Sequence, residues 1–392
     1  MNVAFSRTGE RERQAAAPPV GDPRMVQQPC YDLLCDFDNL YAAHRAARRG
    51  KQGRRDVVGF ELNLGANLVA LRDELCARTY RPRPYSHFTI FEPKERSVFA
   101  PAYRDRVVQH CLCDGIVAPV LEPRLIYDNA ACRVGKGTHF ALARLRRFLD
   151  QHRRAHGTTG WVLKCDIKKY FDNIDHARLE RLLVRPFGGD PDTLRLLRLI
   201  VSTYESGPGR GLPLGNQTSQ WFALYYLDSL DRLVKEKLRI GAYSRYMDDL
   251  VCVHESKTHL RDSLAAMTEH VESLGLTFNA KTQIFPLSAG VPYLGWHTYL
   301  TDSGKIVQKV LPGKKASARR RLVGVVRRFE SGELSADDVV RRVSAYAAHL
   351  DHGDTYALRR SLFTGLVASR AGQGCGPIVF ASPDETSRTD GP

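Results

Sequence analysis

Two adjacent aspartates interrupt a run of strand-forming residues in the second half of the chain, where residues 244–253 read Ser-Arg-Tyr-Met-Asp-Asp-Leu-Val-Cys-Val. Aromatic and branched apolar residues on both sides predict a β-hairpin with Asp248 and Asp249 at its tight turn. Aspartate is common in turns because its side chain bonds to the nearby backbone, so the pair alone does not indicate a function. In such a hairpin both carboxylates would project from one rigid tip.

A second segment gives this pair a chemical meaning. Residues 161–167 read Trp-Val-Leu-Lys-Cys-Asp-Ile and predict a buried strand that ends in a single acid, Asp166. Three carboxylates on two adjacent strands can hold two divalent ions about 3.5–4 Å apart, where the ions stabilise the attacking and leaving oxygens of a phosphoryl transfer. The combination of the two segments indicates polymerase chemistry.

The charge of the chain agrees with a nucleic-acid partner. The sequence has 58 Lys and Arg against 43 Asp and Glu, which gives a formal charge of +15 and an isoelectric point near 9.5. A surplus of this size favours a polyanionic ligand, although a charge bias that only aids solubility is the alternative.

The cysteines and the hydropathy indicate the compartment. Nine cysteines, an odd number without a paired framework, are typical of a reducing cytoplasm. The sequence His-Cys-Leu-Cys at 110–113 has no second half elsewhere, so we expect no zinc site. No run is long and apolar enough for a membrane span, and the N-terminus has no apolar signal core. We therefore expect a cytoplasmic protein that does not enter a membrane.

The first third of the chain predicts helices around one hairpin. Helices are expected at 35–49 and 60–79, and the basic run between them, 48–55, is either a solvated linker or a phosphate contact. Strands at 85–90 and 97–100 form a hairpin whose turn carries Lys94 and Arg96, followed by a helix over 103–121. Two cations on such a turn could bind a triphosphate through charge-assisted hydrogen bonds.

Two glycine-rich segments follow. Gly-Lys-Gly-Thr at 135–138 lacks the first glycine of a phosphate-binding P-loop and follows no strand, so we reject that interpretation. The loop 209–220 precedes a helix with a leucine stripe that starts at Leu224. Backbone amides at that helix start suit an anionic ligand, but an ordinary loop-to-helix connection is equally consistent with the sequence.

The last third predicts a strand, a β-turn and several helices. We expect a helix at 256–274, a strand at 276–282 that carries Lys281, and a glycine-containing β-turn at 291–297. A basic helix at 314–330 directs Arg320 and Arg327 outward. Two further helices are predicted, the first capped by Ser335 and Asp338 and the second at 355–367. A bundle with an arginine-lined face suits the backbone of a nucleic-acid duplex.

In this order the segments resemble a reverse transcriptase over residues 31–367. Tyr-Met-Asp-Asp at 246–249 is similar to the Tyr-x-Asp-Asp box of that family, and Lys-Cys-Asp-Ile-Lys-Lys-Tyr-Phe at 164–171 is similar to the box that supplies the first metal ligand. The resemblance implies an α+β right-hand polymerase fold with fingers, an antiparallel palm sheet and a helical thumb. The domains expected are a disordered leader (1–30), fingers (31–160), palm (161–300), thumb (301–370) and a disordered tail (371–392).

The resemblance also implies roles for individual residues. Two Mg²⁺ or Mn²⁺ ions are expected on Asp166, Ile167, Asp248 and Asp249. The three aspartates are expected to be catalytic together with Lys281, which would protonate the pyrophosphate. The residues expected to bind the nucleotide are Lys94 and Arg96 at the triphosphate, Phe171 at the sugar, and Leu214, Gly215 and Gln220. The residues expected to bind nucleic acid are Arg104, Arg106, Tyr246, Arg320, Arg327 and a primer grip of Tyr293, Leu294 and Gly295.

One loop departs from most relatives. Intron-encoded and retron enzymes usually have Gln-Gly and then Ser-Pro in this loop, whereas residues 214–220 read Leu-Gly-Asn-Gln-Thr-Ser-Gln. The replacements are similar to those of reverse transcriptases from diversity-generating retroelements, as are residues 103–110, 132–139 and 352–356. Such enzymes copy a template RNA into cDNA from a primer and dNTPs, with frequent errors at adenines, and the cDNA overwrites a variable repeat in mutagenic retrohoming.

Partners and alternatives follow from the same resemblance. A small accessory protein is expected, and no RNase H, integrase or endonuclease domain is expected after the thumb. The alternatives are a reverse transcriptase of phage defence or of another retron or intron type. A catalytically silent RNA-binding scaffold belongs to a different class, and the intact Asp166, Asp248 and Asp249 count against it.

Overall fold

The computed structural model of the chain describes residues 2–3, 30–91, 95–364, 366–369 and 378–380. The chain divides into two compact units. The larger unit contains Pro23–Leu145 and Trp161–Phe285, and the smaller unit contains Met1–Asp22, Arg146–Gly160 and Pro286–Pro392. Most of the expected leader and tail lies outside the described residues.

Helices supply most of the regular structure. The α-helices are α1 (Phe37–Ala47), α2 (Arg55–Glu61), α3 (Leu64–Cys76), α4 (Tyr103–Leu112), α5 (Ala118–Leu121), α6 (Thr138–His156), α7 (Tyr170–Asn173), α8 (His176–Phe187), α9 (Pro191–Val201), α10 (Gln217–Tyr226), α11 (Asp228–Arg232), α12 (Lys257–Ser273), α13 (Pro312–Glu330), α14 (Ala336–Leu350) and α15 (Tyr356–Phe363). Short 3₁₀ turns lie at Tyr31–Cys35, Glu122–Arg124 and Leu287–Ala289, and π-helical turns at Cys113–Val117 and Leu233–Lys237. The helix predicted over 103–121 is confirmed and contains the first π-helical turn.

The strands form four small sheets. They are β1 (Asn2–Val3), β2 (Ser86–Ile90), β3 (Arg96–Ala100), β4 (Trp161–Asp166), β5 (Tyr243–Tyr246), β6 (Asp249–His254), β7 (Gln283–Pro286), β8 (Val291–Tyr293), β9 (Trp296–Leu300), β10 (Ile306–Val310), β11 (Val367–Ala368) and β12 (Ile378–Phe380). The sheet orders are β2-β3, β5-β6-β4-β7, β10-β9-β8 and β1-β12-β11.

The four-stranded sheet is the centre of the larger unit. Strand β6 pairs antiparallel with β5 on one side and with β4 on the other, which confirms both the predicted hairpin and the predicted strand before Asp166. The strands are apolar because the sheet is covered: Leu163, Cys165, Leu250 and Cys252 are each at most 1% exposed. They share a core with residues of α8, α10 and α12, among them Leu179, Leu183, Phe222, Leu260 and Met267.

Several predicted boundaries were wrong. The helix expected over 60–79 is divided between α2 and α3, where the Asn67 side-chain amide donates to the Phe60 carbonyl at 2.9 Å and terminates α2. The leucine stripe after Leu224 is shared by α10, α11 and a π-helical turn. The strand expected at 276–282 is a loop with one bridge, between Phe278 and Ile167, and the strand is β7.

The smaller unit contains the basic helix and its partners. Leu322, Val326 and Phe329 of α13 are buried, whereas Arg320 and Arg327 are exposed, as the helical period predicts. The capping box of Ser335 and Asp338 at α14 is confirmed.

The end of this unit differs from the sequence prediction. The last helix ends at Phe363 and is followed by β11. Strand β12 pairs with both β1 and β11, so Asn2–Val3 and Ile378–Phe380 lie in a sheet within the two segments predicted to be disordered. In the part of the chain that the structure describes, no helix combines the length and apolar character that crossing a membrane requires.

Candidate active site

The two aspartates of the β5–β6 hairpin occupy different positions from those predicted. Tyr246 pairs with Asp249, so the two-residue turn consists of Met247 and Asp248, and Asp249 is the first residue of β6. Met247 takes the left-handed conformation that a tight hairpin turn requires, with φ of +55°. The shift by one residue places Asp249 directly across from Asp166 on β4.

Asp166 is held by backbone and side-chain contacts around the end of β4. The Ile167 N–H donates to the Asp248 carbonyl at 3.2 Å, which ties the turn to the residue after Asp166. Asn279 donates twice to Asp166, from its N–H to the carbonyl at 2.6 Å and from Nδ2 to Oδ2 at 3.0 Å. Sequence reasoning missed Asn279, although it lies in the segment predicted to return beside the sheet.

The environment of Asp248 and Asp249 opposes the ionisation of their carboxyl groups. Burial is the largest cause and raises the pKa of Asp249 to about 6; Lys164 partly offsets the rise, and the carboxylates of Asp166 and Asp248 add to it. Burial also raises the pKa of Asp248, to which Asp166 adds, while Arg96 and Arg245 lower it. Carboxylates gathered in this way favour a cation between them.

The fit of a divalent ion depends on the free oxygen atoms. Among the residues that the structure describes, no three His, Cys, Asp or Glu side chains converge closely enough to hold a metal ion as they stand. Two carboxylates instead have protein partners, since Asp166 Oδ2 accepts from Asn279 and Asp249 Oδ2 lies 3.5 Å from Lys164 Nζ. Asp249 Oδ1 is buried without a hydrogen-bond partner, an unfavourable state that a bound cation would relieve. Carboxylate oxygens are ligands that Mg²⁺ prefers, so the residues fit the ion.

A buried ion pair supports the hairpin from behind. Arg245 Nη2 lies 2.6 Å from Asp231 Oδ2 and Nε donates to Oδ1 at 2.7 Å, and both side chains are 0% exposed. Although burial would lower the pKa of Arg245, Asp231 raises it above its ordinary value, so the guanidinium stays charged. Arg245 Nη1 donates to the Met247 carbonyl at 3.1 Å, which anchors the turn that carries Asp248.

The residues expected at the nucleotide lie in the same unit. Arg96 begins β3, whereas Lys94 lies outside the described residues. The Phe99 N–H donates to the Leu214 carbonyl at 3.1 Å, which fixes the loop against the hairpin. Gly215 has φ of +112°, and a Cβ there would lie 3.2 Å from Val98 Cγ1, so both the conformation and the space favour glycine.

Three other residues expected at the active site have different surroundings from one another. Gln220 is half-buried within α10 and is not part of the loop. Phe171 is half-buried on α7 and stands edge-on to Tyr170, with ring centroids 5.7 Å apart. Lys281 is exposed in the turn before β7, and its N–H donates to Asn279 Oδ1 at 3.2 Å.

The expected nucleic-acid contacts are divided between the two units. In the larger unit Arg104 is paired with Glu74 and Arg106 with Asp56, so neither guanidinium is free, and Tyr246 is half-buried. In the smaller unit Leu294 and Gly295 form the two-residue turn between β8 and β9 with φ of +50° and +89°, beside the fully buried Tyr293. Arg320 and Arg327 are exposed there on α13.

The chain is similar in sequence to two bacterial proteins. The chain is 24% identical over 251 residues to Protein YkfC of Escherichia coli strain K12, an alignment that covers 59% of this chain and 64% of YkfC. It is 25% identical over 213 residues to the group II intron-encoded protein LtrA of Lactococcus lactis subsp. cremoris, covering 50% of this chain and 32% of LtrA. The chain therefore spans less than two thirds of either relative.

Solved structures of telomerase are also similar. Apo telomerase from Candida tropicalis, truncated from the C-terminal domain, has a TM-score of 0.44 and 12% identity, and the alignment covers 60% of this chain and 58% of the telomerase chain. Telomerase from Candida albicans in complex with the TWJ fragment of telomeric RNA has a TM-score of 0.45 and 14% identity, and the alignment covers 75% of this chain and 58% of the telomerase chain.

The sequence pattern of one family extends across both aspartate segments. The reverse transcriptase (RNA-dependent DNA polymerase) pattern matches residues 96–298, just over half of the chain, from the start of β3 to β9. Enzymes of this family generally use divalent metal ions such as Mg²⁺. The expected fold class, α+β with the antiparallel sheet of a right-hand polymerase, is confirmed. The chain belongs to the reverse transcriptase (RNA-dependent DNA polymerase) family.

Proposed function

We propose that the chain is an RNA-directed DNA polymerase. The observation that carries this proposal is the direct pairing of Asp166 with Asp249 on adjacent strands, with Asp248 in the turn beside them. Two Mg²⁺ or Mn²⁺ ions, when bound there, would stabilise charge on the attacking and leaving oxygens of nucleotidyl transfer.

In this proposal each residue group has its own task. The three aspartates and the Ile167 carbonyl oxygen hold the ions, and the Asn279 and Arg245 contacts orient the carboxylates. Lys94 and Arg96 bind the triphosphate, Phe171 occupies the space that a 2′-hydroxyl would need, and Lys281 protonates the pyrophosphate. Residues 31–160, 161–300 and 301–370 serve as fingers, palm and thumb.

The basic test is primer extension by the purified chain. A DNA primer annealed to an RNA template should be extended when dNTPs and Mg²⁺ are present, and a chelator should stop the reaction. A chain that binds the RNA duplex yet extends no primer with either Mg²⁺ or Mn²⁺ would instead be a silent RNA-binding scaffold.

We further propose that the enzyme is the polymerase of a diversity-generating retroelement and works with a small accessory protein. Its support is the loop in which Leu214 and Gly215 stand where most relatives have Gln-Gly. The Phe99 N–H donates to the Leu214 carbonyl, so a substitution at this position changes the side chain and leaves this backbone contact possible. A glutamine amide can orient a nucleotide by hydrogen bonds, whereas leucine offers apolar contact only.

Replacing Leu214 with Gln should therefore lower misincorporation opposite template adenines. Without an oriented polar contact, the activation free energies of correct and incorrect incorporation lie closer together. A difference of about 1.4 kcal/mol between them corresponds to a tenfold change in discrimination. We expect the adenine error frequency of L214Q to fall by about tenfold, measured by sequencing cDNA made by both enzymes on one RNA. Errors opposite the other three template bases serve as the internal control. Equal adenine error frequencies would place any infidelity elsewhere in the chain.

A further inference from the structure

A cavity of about 1290 Å³ opens beside α7 in the larger unit. One wall is the β2–β3 hairpin with Arg96 and Phe99, and another is the loop that contains Leu214. Lys169, three residues after Asp166, contributes a cation from the side of the catalytic strand. The cavity, which we call the hairpin cavity, thus joins segments that the proposed function already brings to the nucleotide.

The backbone of Lys169 is unusual. Its φ of 46° and ψ of 52° are left-handed, a conformation that glycine adopts freely and that L-residues other than Asn and Asp rarely take. The conformation is imposed from both sides, since the Lys168 N–H donates to the Thr277 carbonyl at 2.9 Å and the Lys169 carbonyl accepts from the Asn173 N–H at 3.1 Å. A side chain kept where glycine would suit the backbone better points to a use for that side chain.

The cations of the hairpin cavity are available to a ligand. Arg96, Lys169 and Arg210 line it, and none of them forms an ion pair with a side chain in the described ranges. The neighbouring cavity differs, because there Arg104 and Arg106 are neutralised by Glu74 and Asp56.

Three carboxylates of the hairpin cavity increase the effect expected from loss of the Lys169 charge. Glu95, Asp172 and Glu205 also line the hairpin cavity, which balances its three cations. Removing Lys169 would therefore leave an excess of negative charge and add repulsion to the lost attraction for any anion.

We propose that Lys169 binds the phosphates of the incoming dNTP in the hairpin cavity, together with Arg96. This inference rests on the proposed polymerase function and adds a residue to its nucleotide site. Lysine serves here as a flexible point charge that can follow the phosphates from substrate to released pyrophosphate. The same charge could instead contact a phosphate of the RNA template, so the test must separate the two sources.

The test compares K169G with wild type in steady-state primer extension. Glycine suits the left-handed backbone, so the variant should fold and unfold at the wild-type temperature or above. We expect KM for dNTPs to rise about tenfold, the order for loss of one charge-assisted hydrogen bond, with a smaller change in kcat. Inhibition by inorganic pyrophosphate should weaken by a similar factor. K169R, which keeps the charge, should stay close to wild type in KM.

K168A is the matched control, because Lys168 is an exposed neighbouring lysine that does not line the hairpin cavity. Its KM and kcat should equal those of the wild type. Weaker RNA binding by K169G with an unchanged KM for dNTPs would assign Lys169 to the template and overturn the proposal. If neither RNA binding nor the KM changes, the proposal is overturned as well. Calorimetry measures the binding of pyrophosphate to wild type and K169G, and it tests the role of Lys169 even if the chain extends no primer. A failure to extend a primer would contradict only the proposed function.

Discussion

Replacing Asp248 with Asn should reduce primer extension by about 10²-fold or more while the chain stays folded. The loss follows from removal of one charge from the ion-binding carboxylates, and it is of the order seen when one preorganised electrostatic contact with a transition state is removed. RNA binding should persist, because it depends on phosphate contacts elsewhere on the chain. The measurements are extension rates with Mg²⁺ and filter binding of the same RNA duplex.

The stability of D248N gives an independent check. The pKa of Asp248 is raised in the folded chain, so its ionisation costs stability: the cost grows as pH rises above the unfolded pKa and reaches its full size above the folded pKa. Asparagine cannot ionise and is free of this cost, so D248N should unfold at the wild-type temperature or above at pH 7. The control is D262N, at an exposed aspartate on α12, which should retain full activity. Wild-type extension by D248N would remove Asp248 from the site.

Much of the catalytic sheet could be predicted because its signals are local. The strand before Asp166 and the hairpin after Ser244 both follow from apolar runs of strand length interrupted by acids. The position of the turn was wrong by one residue, since the turn consists of Met247 and Asp248 and not of Asp248 and Asp249. Sequence propensity favours aspartate in a turn, but the pairing of Asp249 with Asp166 decides the register.

Long-range partners account for what the sequence could not predict. Asn279 lies 113 positions from the carboxylate that it contacts, and nothing in its neighbourhood distinguishes it from an ordinary loop residue. The expected triphosphate and nucleic-acid residues depend on such contacts too: Arg104 and Arg106 read as free cations, yet acids from distant helices pair with both. In the sequence, the buried role of Arg245 is indicated only by its charge inside an apolar strand. No sequence feature identifies Asp231 as its partner.

The Arg245–Asp231 pair provides the last prediction. Arg245→Met leaves the fully buried Asp231 without its cation, and breaking a buried pair in this way should lower the free energy of unfolding by about 3–5 kcal/mol. Denaturant unfolding of the purified variant measures the loss. The control is R72M, which removes an exposed ion pair with Asp73 in the same unit and should cost less than about 1 kcal/mol.

The double variant R245M/D231L separates stability from positioning. Replacing a buried ion pair with apolar side chains of similar volume is often neutral or stabilising, but Asp231→Leu also removes the acceptor of the buried Tyr243 hydroxyl, so the double variant should recover part of the lost stability. It still lacks the hydrogen bond from Arg245 to the Met247 carbonyl, and the turn that carries Asp248 loses its anchor. Because small displacements of catalytic groups cost large factors in rate, we expect extension to remain at least about tenfold below wild type in kcat, with KM little changed. Recovery of both stability and kcat would show that the pair serves the core alone and that the hairpin holds Asp248 without it.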